Sequence, residues 1–255
     1  MEKAFLNYVA TFDQTQLPIK RKREHTLRTA NDARHIAREL GLDKKNIELA
    51  YAIAMLHDIG RFTQWTLYKT FSDLRSVDHG NLAVKILFED GLVERFKLDK
   101  KLYPIIRFAV QNHNKFAIDT TDVPYIEGFD ALLHAQIIRD ADKVDIARIS
   151  TSDEVKDVQL VTADNVTTGI SPLVMQDVKN KQQARHINMR TKADSIIGSI
   201  SFAYDLYTKP AKKIFIDNEY PIGIFEGFKF HLNAEDAQAV RQIAEKVMRD
   251  LRAAV

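Results

Sequence analysis

One segment of the chain, LAYAIAMLHDIG at residues 49–60, is apolar almost all round a helix until it reaches His57 and Asp58. A helix without a polar face has to be buried. Ile53 and Ala54 precede His57 by four and three residues, so they share its helix face. Burying a carboxylate beside an imidazole costs several kcal/mol unless something compensates the charge. A divalent cation is one compensation; the alternative is an ordinary helix end with a hydrogen-bonded core histidine.

The rest of the chain also favours helices, because only 6 prolines and 9 glycines interrupt its 255 residues. Apolar residues recur at helical spacing, which predicts helices near residues 27–40, 46–59, 78–90, 99–113, 128–148, 190–208 and 233–252. The segment KIFIDNEYPIGIF at residues 213–225 is compatible with a short β-hairpin, although Pro221 weakens that interpretation. We expect an all-α fold with at most one short β-hairpin.

The amino-acid composition excludes several classes of function for this chain. The chain has no cysteine, which excludes disulfides, thiolate metal sites and cysteine nucleophiles. Its formal net charge of +2 predicts no binding to long nucleic acids but is compatible with small anionic substrates. No apolar run reaches the roughly 18 residues of a membrane span, and residues 1–14 do not resemble a signal peptide. We therefore expect a cytoplasmic protein without a membrane partner.

Further histidines and aspartates accompany the His57-Asp58 pair. In chain order the groups are His25, His57-Asp58, His79, His113 and Asp142. They fall on five separate predicted helices, and helical proteins build interior metal sites from side chains on facing helices. The remaining histidines, which lie outside this order, are interpreted as surface or structural residues: His35, His134, His186 and His231.

This combination resembles the HD-domain superfamily of metal-dependent phosphohydrolases, whose members share the pattern H…HD…D. AMLHDIGR at residues 54–61 is similar to the ALLHDIGK-like segments of the family, and Ala141–Asp145 is similar to its final A-D-K/R-x-D segment. His25 is followed by Arg28 and Thr29, similar to the H-x-x-R-V/T opening of many members.

The resemblance covers residues 20–150 and implies an HD-domain helical bundle, with an HD phosphohydrolase domain at residues 1–150. It says nothing about residues 151–255. We expect those residues to form a mainly helical C-terminal extension on the same core, not clearly a separate domain.

The resemblance implies that His25, His57, Asp58 and Asp142 hold a divalent metal. Asp140 is the alternative for the last position, but two residues apart on a helix point to different faces. The aspartate directly before the basic residue is the better match to the family. Nitrogen and oxygen ligands suit Mn, Fe, Co, Ni, Zn or Mg and do not choose among them.

His79 and His113 resemble the additional histidines of binuclear members, where they would bind a second metal with Asp58 bridging. In mononuclear members a histidine near the position of His79 instead donates a proton to the leaving oxygen. Ordinary helix capping is the structural alternative for both residues. The sequence is therefore compatible with a site that holds one metal ion and with a site that holds two.

Basic and aromatic side chains near these residues are candidates for holding a substrate. An anionic phosphate favours basic neighbours, and the phosphate-binding candidates are Arg28, Arg61 and Lys143, followed by Lys115 and Arg139. Each could equally be a solvated surface charge. Aromatic residues recur at intervals of three after the HD pair, as either a ring-stacking wall or core packing: Phe62, Trp65, Tyr68 and Phe71.

The function that the resemblance implies is hydrolysis of a nucleotide or other small phosphate ester by metal-activated water. A homodimer is a further expectation. Two alternatives stay open: an HD-fold diiron oxygenase, which uses the same order of ligands, and a non-catalytic nucleotide-binding HD module. No motif selects a particular substrate.

Overall fold

The computed structural model describes residues 1–151 and 168–255. These residues divide into two compact units, Met1–Asp142 and Lys143–Val255. The domain limit expected after residue 150 stays a prediction. All six candidate metal-ligating residues lie in the first unit.

The first unit is built from helices that are joined by short 3-10 segments. They are α1 (Glu2–Val9), α2 (Leu17–Glu39), α3 (Lys44–Leu56), α4 (Ile59–Tyr68), α5 (His79–Val84), α6 (Tyr103–Asn112) and most of α7 (Ala131–Ser150). The end of α5 continues into a π-helical turn at Lys85–Glu89. The 3-10 segments are Asp73–Arg75, Leu92–Phe96 and Lys100–Leu102.

Helix α3 lies in the core of this unit, as its uninterrupted apolar sequence predicts. The Asp43 side chain caps its first turn by accepting a hydrogen bond from the Asn46 backbone N–H. Every residue from Leu49 to Leu56 is buried, and α2 packs against α3. The helix ends at His57, and Asp58 precedes the first residue of α4. The chain therefore changes helix at the HD pair, inside the protein.

The β structure lies elsewhere than the sequence predicted. Strands β1 (Tyr125–Ile126) and β2 (Phe129–Asp130) form an antiparallel hairpin whose turn contains Gly128 at φ +81. Residues 213–225, the segment compatible with a hairpin, are mostly helical, so that prediction is wrong. Pro221 lies in the first turn of its helix, where the missing N–H leaves no intrahelical hydrogen bond unmade.

The second unit is also helical. Its helices are α8 (Pro172–Lys179), α9 (Lys192–Ile200), α10 (Lys209–Asp217), α11 (Tyr220–Phe228) and α12 (Ala234–Arg252). Helix α12 buries Val240, Ala244, Val247 and Leu251, a stripe at helical spacing. The predicted all-α fold and the helices near 190–208 and 233–252 are confirmed. Among the residues described, no helix has both the length and the apolar character needed to cross a membrane.

Candidate metal centre

The structure brings the six histidine and aspartate side chains together, although they come from helices far apart in sequence. His25 lies within α2, His57 ends α3 and Asp58 precedes α4. His79 begins α5, His113 ends α6, and Asp142 lies in α7. All are buried except Asp142, whose side chain is one-fifth exposed.

The Asp58 carboxylate occupies the middle of this cluster. Its Oδ2 lies 3.5 Å from Nε2 of His25 and 3.5 Å from Nε2 of His57. Its Oδ1 lies 3.5 Å from Nε2 of His79 and 3.7 Å from Nε2 of His113. Each carboxylate oxygen thus faces its own pair of imidazoles. The side chains therefore form two groups whose spacing suits a metal ion, and Asp58 belongs to both groups.

We call His25 and His57, together with Asp142, the Oδ2 side of Asp58. We call His79 and His113 its Oδ1 side. On the Oδ2 side, Asp142 Oδ1 lies 3.0 Å from His25 Nε2 and 3.8 Å from His57 Nε2. Asp140, the alternative last ligand, is fully buried. Asp142 thus lies beside both histidines of this side, and its choice over Asp140 as the last ligand stays a prediction.

The histidine tautomers follow from their hydrogen bonds. His57 Nδ1 lies 2.6 Å from the Ala54 carbonyl oxygen, and His113 Nδ1 lies 2.7 Å from the Val110 carbonyl oxygen. A carbonyl can only accept, so in each ring Nδ1 carries the proton and donates it. Burial lowers the pKa of His57 to about 3, so its ring is neutral at pH 7. Its Nε2 therefore presents a lone pair toward Asp58.

The Oδ1 side contains a close contact between two ring nitrogens. His79 donates its Nδ1 proton to Asp73 Oδ2 at 2.6 Å, and burial lowers the pKa of His79 to about 4. Nε2 of His79 and Nε2 of His113 are 3.0 Å apart. Because both Nδ1 atoms carry the ring protons, two lone pairs face each other, which is unfavourable without a positive charge between them.

These observations agree with a bound cation. His57 Nε2 is buried and has no hydrogen-bond partner among the residues that the structure describes. A buried acceptor of this kind costs free energy unless it is satisfied. Neutral imidazoles and carboxylates are ligands of divalent transition metals. The residues present therefore fit a divalent cation.

The charge state of Asp58 is also favourable. Burial raises its pKa, but the Lys22 ammonium 2.7 Å from Oδ2 and the Arg61 guanidinium outweigh burial and hold the pKa well below its usual range. For Asp142, burial again opposes ionisation, and the hydrogen bond and charge of His25 lower the pKa. Both carboxyl groups are therefore carboxylates at neutral pH.

Asp73, which the sequence did not identify, organises the Oδ1 side. Besides the His79 proton it accepts hydrogen bonds from Arg61 Nη1 at 3.1 Å, Gln64 Nε2 at 2.9 Å and Asn114 Nδ2 at 3.2 Å. These partners overcome burial and lower the pKa of Asp73. A carboxylate behind a histidine fixes the ring orientation and tautomer. Asp73 lies in the short segment between α4 and α5, where no helical periodicity indicates it.

Arg61, a predicted phosphate-binding residue, is committed to this same network. Its Nη1 donates to Gln64 Oε1 at 2.8 Å, to the Phe71 carbonyl oxygen at 2.6 Å and to Asp73. Its Nε lies 3.5 Å from Asp58 Oδ1. Arg61 is therefore near the centre, with its Nη1 group committed to protein oxygens.

The other predicted phosphate-binding residues have different surroundings. Lys115 Nζ pairs with Asp78 Oδ2 at 2.6 Å. Within the second unit, Lys143 Nζ pairs with Asp205 Oδ2 at 2.7 Å and is buried. Arg28 is partly buried on α2. Phosphate binding by these residues stays a prediction.

Arg139 has a structural role. It is 1% exposed and donates from Nη1 to the carbonyl oxygens of Asn112 at 2.9 Å and Lys115 at 2.5 Å. Its Nη2 donates to the Phe116 carbonyl oxygen at 3.2 Å. A cation at these carbonyls stabilises the end of α6, where His113 lies. Such burial argues against a contact with substrate.

The aromatic residues after the HD pair do not share one role. Phe62 is fully buried and packs against the aromatic residues of the N-terminal segment. Tyr68 is exposed. The Trp65 and Phe71 rings are 5.2 Å apart, and the Lys22 ammonium lies 5.6 Å from the centre of the Phe71 ring. Phe71 is thus the member of the set that contacts residues of the centre.

Lys22 is the second residue that the sequence did not identify. It precedes His25 by three residues on α2, so a search of that helix face would have found it. The histidines outside the pattern are surface or structural, as interpreted. His134 is buried and donates from Nε2 to Asn46 Oδ1 at 2.9 Å, and the exposed ones are His35, His186 and His231.

Comparison with known proteins identifies a family. The model of the family described as "HD domain" matches residues 23–147. This range contains all six groups of the centre. No curated protein and no solved structure matches the chain significantly.

Proposed function

Through residues 23–147 this chain belongs to the HD-domain superfamily, and on that premise we propose that it is a metal-dependent phosphohydrolase. It would cleave a nucleotide or another small phosphate ester with metal-activated water. The observation that carries the proposal is the position of Asp58, with one carboxylate oxygen facing His25 and His57 and the other facing His79 and His113.

We further propose two cations, one on each side, with Asp58 as the shared ligand. The Oδ2 side would supply His25, His57 and Asp142, and the Oδ1 side would supply His79 and His113. Support comes from the paired Nε2 atoms 3.0 Å apart on the Oδ1 side and from the buried His57 Nε2 on the other. Bound divalent cations lower the pKa of water toward roughly 7 and neutralise charge on a phosphoryl group.

The protein's own contribution is to keep the ligands ready. Backbone carbonyls hold the Nδ1 protons of His57 and His113, and Asp73 holds the Nδ1 proton of His79. The three rings therefore need no change of tautomer or orientation to bind a cation. Arg61 links Asp73 to Asp58, since its side chain contacts both carboxylates.

The proposal is tested by assaying the purified protein with Mn²⁺, Co²⁺, Ni²⁺ or Mg²⁺. The substrates would be nucleoside monophosphates and triphosphates, cyclic dinucleotides and simple phosphate esters. We expect metal-dependent release of a hydrolysis product from at least one of them, and chelation should remove it. No product with any metal would contradict the proposal.

A diiron oxygenase is the second candidate, because both His79 and His113 lie at Asp58 and complete the ligand order that those enzymes use. Aerobic loading with iron separates the two functions. A mixed-valent electron paramagnetic resonance signal together with oxygen consumption would favour the oxygenase. Hydrolysis that continues with redox-inert Mg²⁺ or Zn²⁺ would favour the phosphohydrolase.

A further inference from the structure

We propose that Lys22 binds an anionic oxygen of the substrate beside Asp58 and is a substrate-positioning residue of the centre. This inference rests on the proposed function, because it assumes that the anion bound there is a phosphate. It concerns a residue that lies outside the set of histidines and aspartates.

The position of Lys22 joins the buried centre to solvent. Its Nζ is 2.7 Å from Asp58 Oδ2, the oxygen that also faces His25 and His57. The Lys22 side chain is 20% exposed, whereas that of Asp58 is 3% exposed. An anion that approaches the centre from solvent can therefore reach the ammonium, and the ammonium is already held at the carboxylate.

The ammonium has hydrogen-bonding capacity to spare. A lysine has three N–H donors, and Asp58 accepts one of them. Among the described residues no second hydrogen-bond acceptor of Lys22 is found, and its other close partner is the face of the Phe71 ring. A phosphate has several strong acceptor oxygens, so it matches the remaining donors.

Neighbouring cations are engaged differently. Arg61 donates hydrogen bonds from Nη1 to three protein oxygens. Lys115 forms an ion pair with Asp78. Lys115 also keeps two donors, but the carboxylate that holds it is Asp78, whereas Lys22 is held at Asp58, the residue that both groups share. Arg61 also lies 5.7 Å from the Phe71 ring, so two positive charges flank one aromatic ring next to Asp58. The two cationic side chains offset part of the negative charge of Asp58 and Asp73, so with metal cations bound at Asp58 the position beside Lys22 would favour an anion.

Lys22→Met is the test, with Lys20→Met as the matched control. Lys20 lies on the same helix, is exposed and undergoes the same change of charge. The probe is inorganic phosphate, titrated by calorimetry into the Mn²⁺-loaded protein. We expect Lys22→Met to weaken phosphate binding by about 10-fold to 100-fold, as for loss of a hydrogen bond to a charged group. Lys20→Met should bind as the wild type does. Lys22→Arg should recover most of the affinity, because arginine keeps the charge and several donors.

A second titration, of Mn²⁺ without phosphate, distinguishes substrate positioning from support of Asp58. An ammonium beside Asp58 opposes a metal cation at the same carboxylate, so Lys22→Met should bind Mn²⁺ as tightly as the wild type or more tightly. Weaker Mn²⁺ binding would overturn the proposal, since Lys22 would then act by holding the ligand in place.

Phosphate affinity that is unchanged in Lys22→Met, or equally reduced in Lys20→Met, would also overturn it. Phosphate binding that depends on Lys22, in a protein that hydrolyses no ester, would contradict the proposed function alone and would leave Lys22 as an anion-binding residue.

Discussion

The two sides of the Asp58 carboxylate are held by different kinds of structure. On the Oδ2 side, His25 lies in the 23-residue helix α2 and Asp142 in the 20-residue helix α7. On the Oδ1 side, His79 is the first residue of α5, an α-helix of 6 residues, and its ring proton is held by Asp73 in the preceding segment. Long packed helices position one side, and a polar network positions the other.

This difference predicts unequal sensitivity to mutation. Helices such as α2 and α3 gain their stability from many buried apolar contacts, so single changes around the Oδ2 side are tolerated better. The Oδ1 side depends on few hydrogen bonds, each of which orients a ligand directly. Substitutions in the segment between α4 and α5 should therefore affect one half of the centre.

The largest effect is expected for Asp58→Asn, because both sides share this carboxylate. The amide is isosteric, so the fold should be kept, but it carries no charge and binds a cation poorly. We expect loss of metal from both sides and a fall in activity of more than roughly 100-fold. Residues that only support a metal ligand lower activity by up to about 100-fold when mutated, and a shared ligand should have a larger effect. Elemental analysis and an activity assay measure the two effects.

His231→Ala, at an exposed position, is the control for Asp58→Asn and should leave metal content and activity unchanged. If Asp58→Asn kept one metal equivalent at wild-type affinity, the carboxylate would not be shared. The comparison of two sides around one ligand would then be wrong.

Asp73→Asn should affect the Oδ1 side selectively. The amide is a weaker acceptor for the His79 proton than a carboxylate, so the ring is held less firmly and is a poorer ligand. We expect metal affinity on this side to fall about 10-fold to 100-fold, with the Oδ2 side unchanged. A calorimetric Mn²⁺ titration should show one weakened binding step. Asp90→Asn is the control, because Asp90 is exposed and pairs with Lys85. If Asp73→Asn weakened both Mn²⁺-binding steps equally, the two sides of Asp58 would not bind metal separately.

The sequence predicted the groups that belong to regular helices. A buried helix that ends in His57-Asp58 indicated a metal site, and the resemblance to the HD-domain superfamily then selected all six groups that the structure brings together. Helical periodicity is a local property, so it can be read without knowing the tertiary fold. For the same reason the all-α class was predicted correctly.

The sequence did not predict contacts that depend on loops and on tertiary packing. Asp73 lies in a turn before His79, and hydrophobic periodicity does not predict the path of a turn. Lys22 lies in a run of four basic residues, which is typical of a solvated surface. Residues 213–225 were interpreted as compatible with a short hairpin, but Pro221 lies in the first turn of a helix there. Residues 125–130, which do pair, contain only two residues in each strand.

Gly60 offers a test of how closely the Oδ1 side is packed. A Cβ at Gly60 would lie 2.5 Å from the His79 carbonyl oxygen and 2.8 Å from the Ala83 backbone nitrogen. Alanine normally favours a helix over glycine, but here it would push α5 away from α4. We expect Gly60→Ala to lower the free energy of unfolding by about 1–3 kcal/mol and to weaken metal binding on the Oδ1 side.

Gly198→Ala is the matched control for Gly60→Ala. Its added Cβ would meet the end of the flexible Met189 side chain, which can move, whereas the α5 backbone cannot move without displacing His79. Urea denaturation and Mn²⁺ titration of both variants measure the difference. A Gly60→Ala protein as stable as the wild type, with both binding steps intact, would show that α5 is not held rigidly against α4.

The smallest effect at neutral pH is expected at His134, which supports the Oδ2 side from a distance. His134 of α7 donates to Asn46 of α3, so this hydrogen bond ties the helix of Asp142 to the helix that ends at His57. Burial lowers the pKa of His134 to about 4. The unfolded chain, with a pKa near 6.5, therefore binds a proton more readily than the folded protein between pH 6.5 and 4.

The stability contributed by neutral His134 should be fully present above about pH 6.5 and should decrease as the pH falls toward 4, by about 1 kcal/mol already at pH 6. His134→Gln keeps a donor for Asn46 and does not titrate. The difference in free energy of unfolding between the two chelator-treated proteins should be constant above pH 7. Below pH 6.5 the wild type should lose stability more steeply. Parallel curves for the two proteins from pH 7 to pH 4.5 would show that His134 does not make the Oδ2 side pH-sensitive.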